Sequence, residues 1–250
     1  MAGTAVRGRL NWYDAKVVER RRETQRASTL VLAVPGWPGH DAGQHVDVRL
    51  RAADGYTAVR TYSIASAPEG ERLELTIELM PDGEVSPYLV QSATPGSPLE
   101  ILGPIGGWFV WRADSPDAVQ LIAGGSGIVP LMAMIRTRAR DGSRVPFRLL
   151  YSVRQPDAVI YADELQRRSQ AGDGLTTTLA YTRAVPAGWP AQPKRIDAAL
   201  VTATTIPASE KPVCYVCGPT GFVETVADLL TSVGHDPARI KTERFGPTAG

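Results

Sequence analysis

A glycine-rich stretch near the middle of the chain has the residue types that hold a phosphate group through backbone atoms. Gly124, Gly125 and Gly127 directly follow the apolar run 118–123, and an apolar-periodic run begins at Pro130. The pattern predicts a strand, a tight turn and a helix. Such a turn lets the backbone approach an anion, and the helix start offers free N–H groups with partial positive charge. A plain tight connection has the same composition, and Pro130 replaces the third glycine of G-x-G-x-x-G, so the turn alone is weak evidence.

A second stretch that can contact an anion is the segment Arg60-Thr61-Tyr62-Ser63. On a strand, alternation places Arg60 and Tyr62 on one face and the two hydroxyl residues on the other. A guanidinium suits an anion such as pyrophosphate, and an aromatic ring beside it can stack on a flat ring. Arginine and tyrosine on a strand are also ordinary surface residues, which is the alternative interpretation.

A third stretch, residues 83–89, predicts the start of a short helix. Ser86 is a suitable N-cap, and Pro87 fits the first helical position. The first turn of that helix can also receive a phosphate. Together, the three stretches are the candidate anion contacts of the chain.

The two cysteines, Cys214 and Cys217, form a C-x-x-C pair within a strand-like run. Thioredoxin-like pairs open a helix, whereas strand alternation sends these two side chains to opposite faces. A catalytic disulfide is therefore the weaker interpretation, and two cysteines cannot ligate an iron–sulfur cluster by themselves. The three histidines, which are far apart in sequence and give a zinc site little support, are His40, His45 and His235.

Composition limits the classes of function. The chain has 250 residues, 43% of them hydrophobic, enough for one large or two modest domains. Its 27 basic and 26 acidic residues nearly cancel, so no overall field favours nucleic acid or a membrane. The basic run 20–22 suits a solvated strand end, with docking of an acidic partner as the alternative. Because there is no apolar segment of about 18 residues and no signal-peptide core, we expect a soluble, cytoplasmic protein.

The first hundred residues predict an antiparallel barrel or sandwich. Short runs of alternating polar and apolar side chains are separated by turns rich in glycine and proline. The run 72–79 alternates strictly and is the clearest half-buried strand. The other predicted strands in this part, besides the one that carries Arg60, are 15–19, 28–34, 44–50 and 99–102.

After about residue 113 the pattern changes to strands that alternate with helices, which is typical of βαβ units and a parallel sheet. One predicted helix begins at Pro130 and stops at an Asp-Gly pair, and the last helix follows Pro219 and ends before Gly234. The predicted strands are 118–123, 147–153, 175–181 and 213–217. The chain therefore divides into two predicted domains, 1–112 and 113–250.

Four short motifs, taken together and in order, resemble the ferredoxin–NADP reductase family of flavoenzymes. They match R-x-Y-S at 60–63, G-x-x-S at 83–86, G-G-x-G-x-x-P at 124–130 and C-G-P at 217–219. Each motif is short, but the ordered set is specific and spans nearly the whole chain. The resemblance implies an N-terminal Greek-key β-barrel that binds flavin, FAD rather than FMN in most members, and a C-terminal Rossmann-like α/β domain that binds a nicotinamide cofactor.

The resemblance also implies roles for the residues of the flavin site. Arg60 would bind the flavin pyrophosphate, and Tyr62, in the same motif as Thr61, would stack on the isoalloxazine ring. Ser63 would act in catalysis, near the flavin nitrogen that accepts hydride. The backbone of three further residues would complete the pyrophosphate cradle: Gly83, Val85 and Ser86.

For the nicotinamide cofactor, the resemblance implies a site on the second domain. Its pyrophosphate would face Gly125, Ser126 and Gly127. Cys217 would lie beside the nicotinamide as a catalytic residue, although a buried strand cysteine is the alternative when the motif is set aside. Gly218 and Pro219 would shape the same wall.

The C-terminal strand and a cluster of aromatic residues complete the implied site. Glu243 would influence hydride transfer, and Phe245 would cover part of the flavin. Three aromatic side chains can either line the flavin edge or be buried for structural reasons: Trp108, Phe109 and Trp111.

The choice of NADPH over NADH depends on residues at the ends of two predicted strands. Thr182 and Arg183 follow the strand 175–181 and resemble the family's S-R pair, which holds the extra 2′-phosphate. An arginine offers a fixed charge with a fork geometry that suits phosphate. Arg154 is a second candidate, and surface arginines without a special role are the alternative.

The resemblance implies that hydride passes from NADPH, or NADH, to the flavin and that electrons then leave singly. A fused plant-type ferredoxin domain would need four cysteines, so the expected acceptor is a separate ferredoxin or oxygenase component, with no nucleic acid or membrane partner and no metal. Two alternatives remain open: a reductase of free flavin, and a flavin-binding regulatory subunit without turnover. A nucleotide-binding domain without flavin would be colourless.

Overall fold

Two β-sheets, one antiparallel and one parallel, make up the fold in a computed structural model that describes residues 10–51, 54–172 and 174–246. The outer ends of the two predicted domains, residues 1–9 and 247–250, lie outside the described residues. The antiparallel sheet comes first in the chain, and the parallel sheet follows it. This order is the one that the sequence pattern predicts.

The first sheet is a six-stranded antiparallel half-barrel in which the strand order is β4-β3-β6-β1-β2-β5. Its inner face packs around fully buried side chains such as Leu30, Val46 and Leu75. The predicted antiparallel barrel is therefore confirmed. The strands are β1 (Asn11–Arg22), β2 (Ala27–Ala33), β3 (His45–Arg51), β4 (Thr57–Ser63), β5 (Arg72–Glu78) and β6 (Pro98–Ile105).

Strand β5 departs from the strict alternation that its sequence predicts, because Thr76 is buried although it is polar. Thr76 and Thr29 share a hydrogen bond of 2.7 Å between their hydroxyl oxygens. Tyr161, from the second half of the chain, donates its hydroxyl to Thr76, and Thr29 donates to Glu23 at 2.6 Å. Burial without hydrogen bonds would be costly for these hydroxyls, and the chain of bonds removes that cost. This face of β5 is therefore an interface with the second domain.

The second sheet is parallel throughout, with the order β11-β10-β7-β8-β9. It confirms the predicted α/β half. The strands are β7 (Val119–Gly124), β8 (Phe147–Val153), β9 (Leu175–Tyr181), β10 (Val213–Pro219) and β11 (Ile240–Phe245). The helices are α1 (Ile128–Arg140), α2 (Ala162–Gln170), α3 (Ala198–Thr204) and α4 (Thr220–Ser232). Shorter helical turns are Tyr88–Ser92, Gly125–Gly127, Pro156–Ala158, Ala208–Glu210 and Pro237–Arg239.

Apolar side chains cover both faces of the parallel sheet, as a buried parallel sheet requires. Helices α1 and α2 pack on the face that also meets the half-barrel, while α3 and α4 cover the other face. Cys217 belongs to the first of these clusters and Cys214 to the second. The predicted placement of the two thiols on opposite faces is therefore confirmed, and both cysteines are free.

An ionic seam joins the two halves on the side of α1. The Arg136 guanidinium contacts Glu74 of β5 at 2.8 Å and Glu164 of α2 at 2.6 Å, and it donates to the carbonyl of Ala65 at 2.9 Å. Burial lowers the pKa of Arg136, but the Glu164 and Glu74 carboxylates outweigh it and raise that pKa above its usual value. The seam fixes how the two sheets sit against each other. None of the helices among the described residues is long and apolar enough to cross a membrane.

Candidate active site

The glycine turn between β7 and α1 is packed against strand β10. Gly125 adopts a φ of +55°, a conformation that costs glycine little. A Cβ added at Gly127 would lie 2.1 Å from the carbonyl oxygen of Cys217, so a larger residue does not fit there. Helix α1 begins at Ile128, which places Pro130 in its first turn, as predicted. Helix α1 therefore begins at the carboxyl end of β7, and a helix start in that position is a place where an anion can bind.

Strands β7 and β10 each have a glycine beside the turn, and the missing side chains leave space for the ring of Phe222. A Cβ at either Gly124 or Gly218 would lie 2.7 Å from the ring of Phe222. Sequence periodicity places Phe222 in the apolar stripe of α4, and the structure shows that it also lines the cleft described next. Phe222 comes three residues after the C-G-P motif, and this closeness was the sequence signal that it lines the cleft.

A cleft of about 430 Å³ opens between the two halves of the chain at the carboxyl ends of the parallel strands. Ligands of open α/β sheets bind at this edge. The cleft brings together six predicted site residues from four different loops and strands: Gly125, Ser126, Thr182, Arg183, Pro219 and Phe245. The cleft is therefore a place where these six residues can contact one ligand.

Two arginines stand side by side on one wall of the cleft. The backbone N–H of Thr182 donates to the Val153 carbonyl, and that of Arg183 donates to the Arg154 carbonyl, each at 2.9 Å. These bonds tie the ends of β8 and β9 together, so Arg154 and Arg183 both line the cleft with exposed side chains. Asp157 lines the same wall and accepts a hydrogen bond from Gln155 at 2.7 Å. Both guanidinium groups line the cleft, and such cations suit a phosphate.

Beneath the glycine turn, Cys217 and Glu243 are register partners on β10 and β11. Cys217 is 1% exposed. Burial raises the pKa of its thiol well above the usual value, and the nearby Glu243 carboxylate raises it further. Burial also raises the pKa of Glu243 to about 7. The thiol therefore stays protonated, and the Glu243 carboxyl can hold or release a proton near neutral pH.

The R-x-Y-S and G-x-x-S motifs meet through an ion pair on the half-barrel. The Arg60 guanidinium contacts Glu84, the second residue of G-x-x-S, at 2.9 Å. Tyr56 donates its hydroxyl to the same carboxylate at 2.8 Å. Arg60 and Glu84 are both about half exposed, which leaves the guanidinium accessible to an anion. Sequence reasoning missed Glu84, although its place inside the motif was a signal.

The predicted alternation along β4 is confirmed. Tyr62 packs against the core of the half-barrel, and burial raises the pKa of its phenol to about 12. Thr61 points the other way and donates to its register partner Asp47. Ser63 is partly buried and is the register partner of His45, the first residue of β3.

The predicted N-cap at Ser86 is wrong. The Ser86 hydroxyl accepts from the Met80 N–H at 3.0 Å and donates to the Met80 carbonyl at 3.3 Å, so it closes a turn. The helical turn that follows has Pro87 at its N-cap and no side-chain cap. Both Ser86 and Val85 are buried, and Gly83 donates its N–H to Met80. Val85 and Ser86 can therefore offer an anion backbone groups only, and the N–H of Gly83 is already used.

The structure places the predicted residues in two groups. One group lines the interdomain cleft, and the other lies around Arg60 on the half-barrel; among the described residues that line the cleft, none comes from β4. Gly127, Cys217, Gly218 and Glu243 lie in or beneath the cleft floor instead of along its lining.

The three aromatic residues after β6 differ from one another. Phe109 and Trp111 are buried and make edge-to-face contacts with Tyr215 and Phe147, with ring centroids 5.3 and 5.0 Å apart. Structural burial is therefore the correct interpretation for both. Trp108 is 63% exposed and lies 5.5 Å from the Lys241 ammonium group.

A half-barrel with a basic anion contact, followed by a parallel α/β sheet with a glycine turn at its carboxyl edge, defines a two-domain flavin- and nucleotide-binding oxidoreductase. Comparison with known families agrees with this class. Residues 14–110 match the oxidoreductase FAD-binding domain, and residues 121–228 match the oxidoreductase NAD-binding domain.

Two curated relatives are each 30% identical to the chain over the aligned residues. The glycine betaine monooxygenase reductase subunit of Pseudomonas aeruginosa is 30% identical over 82% of this chain and 56% of the relative. A flavohemoprotein of Rhodopirellula baltica is 30% identical over 84% of this chain and 54% of the relative. The chain thus spans a little over half the length of these relatives.

A solved structure shows the same fold. The FAD/NAD-binding domain of a nitric oxide dioxygenase from Vibrio cholerae superimposes with a TM-score of 0.83 at 24% identity, covering 94% of this chain and 99% of that domain. The chain belongs to the ferredoxin–NADP reductase-like family of FAD- and NAD(P)-binding oxidoreductases. The resemblance drawn from the four motifs is confirmed.

Proposed function

We propose that the chain oxidises NADPH with FAD and supplies single electrons to a separate ferredoxin or oxygenase component. The observation that carries this proposal is the interdomain cleft, which collects the glycine turn, a pair of arginines and Phe245 at one edge of the parallel sheet. When bound, the nicotinamide supplies hydride and the flavin accepts it and releases electrons one at a time, so the chemistry belongs to the cofactors. The residues of the chain bind, orient and shield them.

The half-barrel fits a flavin with a phosphate-bearing tail. Arg60 is accessible and charged, and the backbone of Gly83, Val85 and Ser86 lies near it through the Glu84 ion pair. Tyr62 offers an aromatic ring whose phenol hydroxyl stays protonated at physiological pH. We propose that these residues, with Thr61 and Ser63, hold the flavin as the family motif implies.

The cleft fits a nicotinamide dinucleotide. Gly125 and Ser126, which line the cleft, would face its pyrophosphate together with the backbone of Gly127, and a Cβ at Gly127 would collide with β10. Cys217 and Glu243, with the Gly218–Pro219 wall, would lie next to the reacting ring, and Phe245 would cover the flavin. Because burial raises the pKa of Glu243 to about 7, its carboxyl would hold a proton below about pH 7 and release it above that pH. Holding two rings in contact can lower a barrier by about 7–11 kcal/mol in well-oriented systems.

The separate acceptor is supported by the relative that is the reductase subunit of a glycine betaine monooxygenase. Reduction of free flavin is the second candidate, because Arg60 is already paired with Glu84 and a phosphate would have to share it. We also propose that the two domains divide between residues 112 and 113. The two family matches end at 110 and begin at 121, which supports this division.

The function is tested by mixing the FAD-loaded protein with NADPH or NADH in an anaerobic stopped-flow instrument. Rapid bleaching of the flavin band near about 450 nm is expected with NADPH. A protein that binds FAD but is not bleached by either donor would contradict the proposal and indicate a regulatory subunit. Efficient turnover with added riboflavin, and loss of flavin on gel filtration, would favour the free-flavin reductase.

The preference for NADPH is tested with Arg183→Ala. Arg183 and Arg154 form the proposed contact with the 2′-phosphate, so the KM for NADPH should rise by about 10- to 100-fold, the effect of one charged hydrogen bond. The KM for NADH should stay unchanged because NADH lacks that phosphate. Arg167→Ala, on the α2 surface outside this cleft, is the control. An unchanged KM for NADPH would refute the assignment.

A further inference from the structure

The turn between β1 and β2 forms a wall of the cleft from the flavin-domain side. Glu23 and Thr24 donate their N–H groups to the Ala27 carbonyl at 3.0 and 3.1 Å, and the Arg26 N–H donates to the Thr24 hydroxyl at 3.0 Å. This compact turn places Thr24, Gln25 and Arg26 along the cleft, opposite the arginine pair of the second domain. No motif in the sequence marks these residues.

Strand pairing brings this turn close to the glycine turn. Ala27 pairs with Glu78 at the end of β5, and β5 comes within 8 Å of the segment Gly125–Gly127, measured between Cα atoms. Ala27 is buried in the same cluster as Ile128, the first residue of α1. Arg26 directly precedes Ala27 and lines the same cleft as Gly125 and Ser126 of the glycine turn.

The Arg26 side chain is anchored but retains the capacity to bind an anion. Its Nη2 donates to the Leu79 carbonyl at 3.0 Å, which uses one of the five N–H donors of a guanidinium. The side chain is exposed to the cleft. With Arg154 and Arg183 it gives the lining three cationic groups against the two carboxylates Glu78 and Asp157. A dinucleotide pyrophosphate carries two negative charges that fit such a lining.

We propose that Arg26 binds the pyrophosphate of the nicotinamide dinucleotide from the flavin-domain side. The inference rests on the proposed function, since it assigns a further residue to the same cofactor. The glycine turn contacts the pyrophosphate from one domain and Arg26 from the other, so the bound dinucleotide is held by both. Arg26 is thereby a binding residue that the family motifs do not include.

The test compares Arg26→Ala with Arg22→Ala. Arg22 belongs to the same hairpin and donates to the Thr24 carbonyl at 3.1 Å, but it lines a second cleft on the other side of the hairpin. For Arg26→Ala, the KM for NADPH and for NADH, and the Kd for NADP⁺ from absorbance titration, should all rise by about 10-fold, the worth of a charged hydrogen bond. For Arg22→Ala all three should stay within about 2-fold of the wild type, as expected for surface changes.

Three outcomes would overturn the inference. Equal effects of the two substitutions would mean that Arg26 acts through the hairpin fold. A loss confined to NADPH would move Arg26 to the 2′-phosphate. If the wild-type protein neither binds NADP⁺ nor oxidises either donor, the proposed function fails, and this inference fails with it. Arg26→Lys, which keeps the charge but loses the fork, should recover part of the affinity for both donors.

Discussion

The two regions that we propose to bind phosphate are built in different ways. The glycine turn offers backbone groups and packs tightly against β10. A Cβ added at Gly127 would lie only 2.1 Å from the carbonyl oxygen of Cys217. The Arg60 region offers a charged side chain that is half exposed and paired with Glu84 at 2.9 Å. One site depends on packing, and the other depends on charge.

This difference predicts different sensitivities. A site defined by packing tolerates changes of salt but no added atoms, because protein interiors are close-packed. A site defined by an exposed ion pair tolerates changes of shape but responds to salt and to charge. NADP⁺ binding should therefore be sensitive to volume at the turn, and FAD binding should be sensitive to charge at Arg60.

Gly127→Ala should have the largest effect. The added methyl group must displace the turn or β10, and overpacking of this kind costs about 1–3 kcal/mol, more where backbone must shift. The Kd for NADP⁺ should rise by about 100-fold or more, because about 3 kcal/mol corresponds to that factor. Titration of the flavin spectrum with NADP⁺ measures it.

The matched control is Gly221→Ala, at the start of α4. A Cβ there has nothing within 4 Å and the backbone conformation is an ordinary one. Its affinity for NADP⁺ should equal that of the wild type. If Gly127→Ala still binds FAD, its first domain is folded. If the same variant binds NADP⁺ as tightly as the wild type, the turn is not sensitive to added volume and the contrast between the two regions is wrong.

Arg60→Ala should weaken FAD binding by about 10- to 100-fold, the range of one to two charged hydrogen bonds to phosphate. Raising the salt concentration should weaken the wild type more than the variant, since the variant has lost the charge that salt screens. Fluorescence titration of the flavin-free protein with FAD measures both effects. Riboflavin, which lacks the phosphates, should bind the two proteins equally.

Glu84→Gln is the control for this change. It removes the carboxylate that contacts Arg60 and keeps the guanidinium and the size of the neighbour. FAD should bind the variant as tightly as the wild type, or a few-fold more tightly. If Glu84→Gln weakens FAD as much as Arg60→Ala does, the ion pair itself shapes the site and the simple charge contact is wrong.

Glu243→Gln should have a smaller, pH-dependent effect on stability. Burial raises the pKa of Glu243 from 4.5 to about 7, so the folded protein binds the proton more tightly than the unfolded chain. The unfolded state then gains from ionisation as the pH rises above 4.5, and native stability falls until about pH 7. Glu243→Gln should therefore be more stable than the wild type at pH 8 by about 1–3 kcal/mol.

At pH 4.5 the two proteins should be nearly equal in stability, since Glu243 is protonated in the folded state of the wild type. Denaturant unfolding of the FAD-loaded proteins at both pH values measures the difference. An identical difference at the two pH values would show that the Glu243 carboxyl is solvated and titrates normally.

Local patterns predicted much of the fold and part of the site. The alternation at 72–79 and the turn at 124–127 were found because their signals lie within a few neighbouring residues. Thr76 could not be predicted to be buried, because its partners Thr29 and Tyr161 are brought to it by strand pairing and domain contact. Arg26 was not predicted for the same reason, since strand pairing and the contact between the domains bring it to the cleft. Ser86 was misassigned because a hydroxyl has several possible partners, and the turn back to Met80 is visible only in three dimensions.

The burial of both cysteines has a practical consequence. Burial raises the pKa of the Cys214 thiol to about 12 and that of Cys217 well above its usual value, so neither forms the thiolate that attacks maleimide. A single cysteine introduced on the surface, for example at Gln25, would accept a fluorescent dye selectively while the native thiols remain unlabelled. Cofactor binding at the cleft, which Gln25 lines, can then be followed by fluorescence without first removing any natural residue.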